Sequence, residues 1–215
     1  YKTMKKIILL LVVAIRFSCK NSKQKETSQD IIETQSVSHS ILSTVSLPSI
    51  DNWGRNNIEV TSSQETHPIG PVSTISRVSK NESAYVSIDN LPVYSGSTYR
   101  LSVVVKKFKN DKNFALRFQG IYPNRVDAVY DLETGIVKEV LLSGADEMAQ
   151  DQIATIEHLG GGWYMCSLSA NLFNDYVRVV MWPTTNKLKT DLWETRTGKQ
   201  SNALIIVNSL KLDEL

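Results

Sequence analysis

Residues 97–108, "STYRLSVVVKKF", alternate with period two. Tyr99, Leu101, Val103 and Val105 fall on one side, Arg100, Ser102 and Lys106 on the other. Successive side chains of a strand point to opposite faces, so this pattern builds a strand with one face buried. The same pattern, or a short apolar run of strand length, recurs in "AYVSID", "NFALRFQG", "VDAVYD", "GIVKEVLL", "QIATIEHL", "GWYMCSLSA", "DYVRVVMW" and "NALIIVNSLKL". Turn signals separate them: "YSGS", "KNDKN", "YPNR", "LETG", "HLGGG" and "NLFND". From residue 47 onward the one helical candidate is the short "ADEMAQDQ". Many short strands at such spacing predict an all-β fold, a two-sheet antiparallel jelly-roll β-sandwich over residues 47–215.

Upstream the pattern changes twice. Lys5 and Lys6 precede nine apolar residues, 7–15, a run of signal-peptide length and too short to span a bilayer. Met4 reads as the start of this leader. "RFSCK" then places a small residue, Ser18, directly before Cys19. The stretch resembles a bacterial lipoprotein signal, with Arg16 and Phe17 departing from the usual pattern. The resemblance implies a signal peptide over 1–18, lipidation of Cys19, and a place in the bacterial cell envelope with the lipid as the only membrane contact. Residues 19–46 hold Ser, Thr, Gln and Lys and lack Gly, Pro and aromatic residues. They bury too little apolar surface to offset their ordering entropy and read as a flexible tether. The alternative for this stretch is a short amphipathic helix around residues 30–37.

Charge narrows the partners. The chain carries 24 basic and 22 acidic residues, but four of the cations lie in the leader. From Cys19 onward 20 basic residues face 22 acidic ones, a net of −2. A chain without a basic field is not expected to bind nucleic acid.

The order "STYRLSVVVKK", "FALRFQGIYPNRVDAVYDLETG", "IATIEHLGGGWYMCSLSA" and "ALIIVNSLKLDEL" resembles a jelly-roll domain of phage virion proteins and secreted bacterial proteins. In architecture that domain is similar to carbohydrate-binding modules. The resemblance spans residues 85–215 and implies a fold and a tendency to bind, with no defined ligand and no catalytic mechanism.

No catalytic residue is assigned. With Cys19 lipidated, Cys166 stands alone at mid-strand. A cysteine nucleophile needs a histidine base beside it, and only His158 lies near in sequence. Three histidines and two cysteines are too few for an evident zinc cluster. "GGGWY" at 160–164 reads as a tight turn opening a strand, because no helix follows to make a phosphate cradle. No cofactor is expected. A structural calcium ion would suit loop carboxylates such as those of "NDKN" and "DLETG", and no ligands are assigned to it.

The remaining candidates come from alternation. In "NFALRFQG" Arg117 and Gln119 lie opposite the face of Phe114, Leu116 and Phe118. In "DYVRVVMW" Tyr176, Arg178 and Trp182 lie opposite Val177, Val179 and Met181. If the two strands share a sheet, Arg117, Gln119, Tyr176, Arg178 and Trp182 form one polar and aromatic surface. Aromatic rings stack on pyranose faces, and Arg and Gln bond hydroxyl or acidic groups, so an oligosaccharide or polysaccharide is the expected ligand. The alternative is an ordinary solvated sheet face, with Trp182 partly covered by "KLKTDLWETRTG". For Arg125 and Asp127 a structural pair at a strand start is expected. The functional readings are then a non-catalytic carbohydrate-binding envelope lipoprotein, a structural or protein-interaction module of the envelope, or, more remotely, a polysaccharide lyase or hydrolase.

Overall fold

A computed structural model describes residues 41–79, 81–144, 148–184 and 201–215. All of them belong to one compact unit, Ser38–Leu215. The leader, Cys19 and most of the tether lie outside the described residues, as does the "KLKTDLWETRTG" loop.

The alternating segments form strands throughout. In chain order they are β1 Ser43–Val45, β2 Gly54–Asn56, β3 Ile58–His67, β4 Gly70–Arg77, β5 Tyr85–Pro92, β6 Ser97–Lys107 and β7 Asn113–Gln119. There follow β8 Arg125–Asp131, β9 Ile136–Ser143, β10 Ala149–Gly160, β11 Trp163–Leu172, β12 Tyr176–Thr184 and β13 Asn202–Glu214. A 3₁₀ turn, Ile50–Asn52, precedes β2. The expected tether reaches residue 46, but Ser43–Val45 pairs antiparallel with Leu212–Glu214, so the sandwich begins earlier. The helical alternative in "ADEMAQDQ" gives way to β10 from Ala149 onward.

The strands pair into two antiparallel sheets, as the sequence predicts. One runs β10-β11-β6-β13-β4-β3, with β1 added on β13. The other runs β2-β5-β12-β7-β8-β9. Their inner faces interdigitate. Leu101, Val103, Val105, Leu168 and Ile205 from the first meet Phe114, Leu116, Phe118, Val179 and Met181 from the second, all within one buried cluster. Tyr130 crosses the gap and donates its hydroxyl proton to the Ser167 carbonyl at 2.7 Å, which satisfies a phenol that burial would otherwise leave without a partner.

The outer faces are not uniformly solvated. Val72, Val104, Trp163, Leu204 and Ile206 form a second buried cluster on the outer side of the first sheet. The β3–β4 hairpin reaches this cluster, where His67 meets the Trp163 ring edge-on and Glu65 pairs with Lys106. In the second sheet every residue of β8 and all but Gln119 of β7 are buried, whichever face they occupy.

Candidate functional site

Strands β7 and β12 are neighbours, so the condition for a shared surface is met. Gln119 lies opposite Arg178, Arg117 opposite Val180, and Ala115 opposite Trp182. The five candidates do share the outer face, but they divide by environment. Arg117 is 1% exposed and Trp182 is 0% exposed, whereas Tyr176 is 60% exposed. Arg117 and Trp182 are therefore corrected to interior residues and are withdrawn as ligand contacts.

The physical reason is charge pairing. Arg117 donates to both oxygens of Asp127, with Nη2 3.0 Å from Oδ2. Arg125 donates to the same Oδ2 at 3.2 Å and to the Pro123 carbonyl at 3.3 Å. The Arg117 guanidinium lies 5.6 Å from the Trp182 ring centre. A buried cation survives only when paired and hydrogen-bonded, and this cluster meets that condition. Arg125 and Asp127 hold the fold here, as the pairing expectation has it.

Gln119, Tyr176 and Arg178 meet elsewhere, in an open cleft of about 610 Å³ at one end of the sandwich. Its size lies in the range of small-molecule sites. Three segments build it. The first is a bulge in β5. Pairing shifts from Leu91 opposite Val177 to Ile88 opposite Val179, so Asp89 and Asn90 together face Arg178. Asn90 has φ +56°, a left-handed conformation that asparagine tolerates better than most residues. The second is the β7–β8 turn. Gly120 donates to Asn124 O and Asn124 to Ile121 O, which leaves Ile121 at the tip 86% exposed. The third is the β11–β12 turn, whose Asn174 and Asp175 line the cleft. Val93 N–H donates to the Asp175 carbonyl at 3.0 Å and Phe173 N–H to the Met148 carbonyl at 3.0 Å, which locks this turn onto its neighbours.

Arg178 is the one cation lining this cleft among the described residues. Its Nε lies 2.6 Å from Asp89 Oδ1, an ion pair too bent to count as a hydrogen bond. Its Nη2 donates to Ser87 Oγ at 3.0 Å, and the guanidinium sits 5.0 Å from the Tyr85 ring centre. Among the described residues the side chains of Asn90, Gln119, Asn174 and Asp175 make no hydrogen bond. The cleft thus offers amide donors and acceptors, two carboxylates, one of them paired with Arg178, and one exposed tyrosine ring.

Asp89, Asn90, Asn174 and Asp175 escape the sequence reading. "NLFND" reads as a turn there, and the signal within it is the run of short polar side chains at a strand end, where binding groups concentrate. The β5 bulge leaves no trace in a single sequence.

The other candidates separate. Cys166 points into the core and is fully buried, and burial pushes its thiol well above the usual range, so it is a packing residue and not a nucleophile. It lies opposite Ile156, whereas His158 lies opposite Tyr164 and meets that ring at 5.0 Å. Gly161 and Gly162 form a two-residue hairpin turn with φ +59° and +80°, as the turn reading of "GGGWY" expects. The carboxylates suggested for calcium are engaged by protein donors. Asp131 accepts from the N–H groups of Glu133 and Thr134 and pairs with Lys138 at 2.9 Å. Glu133 pairs with Lys107 and Lys112, and Asp111 accepts from Asn202. Among the described residues no group of three or more His, Cys, Asp or Glu side chains stands ready for a metal ion.

No protein-family model matches the chain, and no curated protein matches it. Solved structures do. One is a carbohydrate binding module, CBM6cm-2, from Cellvibrio mixtus lichenase 5A in complex with cellotriose. It is 9% identical with a TM-score of 0.41, over 82% of this chain and 99% of that one. A second is the N-terminal CBM22-1–GH10 part of Clostridium thermocellum xylanase 10B, complexed with xylohexaose. It is 13% identical with a TM-score of 0.41, over 78% of this chain and 27% of that one. A third is the C-terminal CBM6 of LamC from Zobellia galactanivorans, at 10% identity and TM-score 0.33, over 74% of this chain and 95% of that one.

Proposed function

We propose that this chain is a non-catalytic carbohydrate-binding protein, lipid-anchored in a bacterial envelope, that holds glycan in the cleft of Gln119, Tyr176 and Arg178. The observation that carries the reading is one juxtaposition. An exposed tyrosine ring stands beside the amides of Asn90, Gln119 and Asn174 and the carboxylate of Asp175, which make no hydrogen bond among the described residues, within about 610 Å³ of open space. A sugar presents an apolar C–H face and a rim of hydroxyls, and this set of groups complements both. Stacking contributes about 0.5–1.5 kcal/mol beyond area burial, on the scale of protein aromatic pairs. Each neutral hydrogen bond adds about 0.5–1.5 kcal/mol net. Less the cost of ordering a flexible ligand, a few such contacts give affinities of about micromolar to millimolar. The anchor is supported by the leader alone: Lys5 and Lys6, the apolar run and Ser18 before Cys19.

Screening the full chain against a glycan array tests the site. Tyr176→Ala should weaken binding about tenfold and leave the melting temperature unchanged, because the side chain is mostly solvated. A stable protein that retains no glycan at millimolar concentration overturns the reading. In that case Ile121 and Tyr122, 86% and 70% exposed at the cleft's edge, favour a protein partner instead. For the anchor, a fatty-acid probe should label the wild type and lose its mark in Cys19→Ser.

A further inference from the structure

We infer that this cleft, taken as the glycan site proposed above, selects uncharged hydroxyl-rich sugar and discriminates against glycans bearing uronate or sulfate groups. The alternation of the sequence alone leaves acidic and hydroxyl-rich sugars both open, since it sets two arginines on the binding face. The structure commits the first to the interior and offsets the charge of the second. Arg117 is interior and committed to Asp127. Arg178 borders the cleft, but Asp89 compensates its charge at 2.6 Å, Ser87 Oγ occupies one of its Nη2 donors, and the Tyr85 ring covers a face of the guanidinium.

The charges that remain favour a neutral ligand. Asp89 and Asp175 set against Arg178 give the lining a net charge of −1 among the described residues. The Asp175 carboxylate is exposed and makes no ion pair or hydrogen bond there. Such a group accepts hydrogen bonds from a pair of neighbouring sugar hydroxyls and repels an incoming carboxylate or sulfate. Gln119, Asn90 and Asn174 supply amides, which serve hydroxyls in both directions and carry no charge. An anionic sugar would find the bordering cation already offset by Asp89 and would meet one further like charge at Asp175.

The test is an array of length-matched neutral, uronate-bearing and sulfated oligosaccharides, probed with the full chain at low and high salt. The inference expects the best neutral ligand to bind at least about tenfold tighter than any charged one at low ionic strength. It expects the gap to narrow as salt shortens the Debye length from about 10 Å to about 3 Å. Asp175→Asn should narrow the gap severalfold without added salt, by improving the charged ligands. Charged glycans that bind as well as neutral ones at low salt overturn the inference and leave the glycan reading standing. An array in which neither class binds overturns the glycan reading itself, and the selectivity falls with it.

Discussion

Trp182 and Tyr176 lie on the same face of β12, six residues apart, and meet opposite fates. Trp182 is fully buried with a guanidinium against its ring, while Tyr176 stands at the strand's start with most of its surface in water. Truncating a large buried aromatic loses its transfer energy and leaves a cavity, at a cost of about 3–5 kcal/mol. Trp182→Ala should therefore lower the urea midpoint sharply, whereas Tyr176→Ala should leave it in place. Equilibrium unfolding followed by circular dichroism separates the two. A Trp182→Ala protein as stable as wild type would mean that this ring does not pack as described. Alternation is informative about which residues share a face and silent about whether that face meets solvent. The sequence reading therefore names three residues of the cleft, Gln119, Tyr176 and Arg178, together with two residues of the interior.

Among the elements, the β10–β11 hairpin shows how local chemistry fixes register. Its two central residues have φ +59° and +80°, the combination a two-residue turn needs to match the twist of its strands. A Cβ on Gly161 would come no closer than 3.7 Å to Trp163, and one on Gly162 no closer than 3.6 Å to Lys106. Space is thus available, and the cost of a side chain is the left-handed backbone alone, about 1–2 kcal/mol. Gly161→Ala should lose roughly that much, and Gly161→Asn less, because asparagine visits this region more readily. Denaturant titration of the pair reads the difference. Equal losses for both would point to sterics in place of backbone strain. The turn was legible because glycine runs carry a specific conformational meaning. The β5 bulge was not, because an extra residue in a strand costs nothing that composition reveals.

At the scale of the whole molecule, Asp131 ties the end of β8 to β9 and to the turn between them. Burial alone would raise its carboxyl. The ion pair with Lys138 and the N–H groups of Glu133 and Thr134 outweigh that and hold it below the usual aspartate range. A carboxyl depressed in the folded state stabilises that state fully above its unfolded pKa of about 3.9, and the contribution is lost as pH falls through the lower folded value. Unfolding free energy should therefore fall on acidification below about pH 4, and Asp131→Asn should flatten that part of the profile. Urea melts across pH 2–6, about the span over which carboxylates titrate, compare the two. An unchanged slope in the variant would assign the acid sensitivity to other carboxylates.

Period-two patterning and turn residues by themselves determined the strands from β5 to β13, the two-layer sandwich and the inner faces of those strands, because burying one face of each strand leaves few other arrangements. They also put Gln119 and Arg178 on the outward faces of β7 and β12, with the pairing of those two strands left as a condition. Tertiary structure alone decided which outward residues reach water. It turned Arg117 and Trp182 into an interior cluster by supplying Asp127 across β7–β8, and it joined Ser43–Val45 to β13. It also assembled the cleft from β5, the β7–β8 turn and the β11–β12 turn, segments some thirty to ninety residues apart. Faces follow from local geometry, but clefts and charge compensation depend on which distant segments meet, and a single chain's pattern carries no record of that meeting.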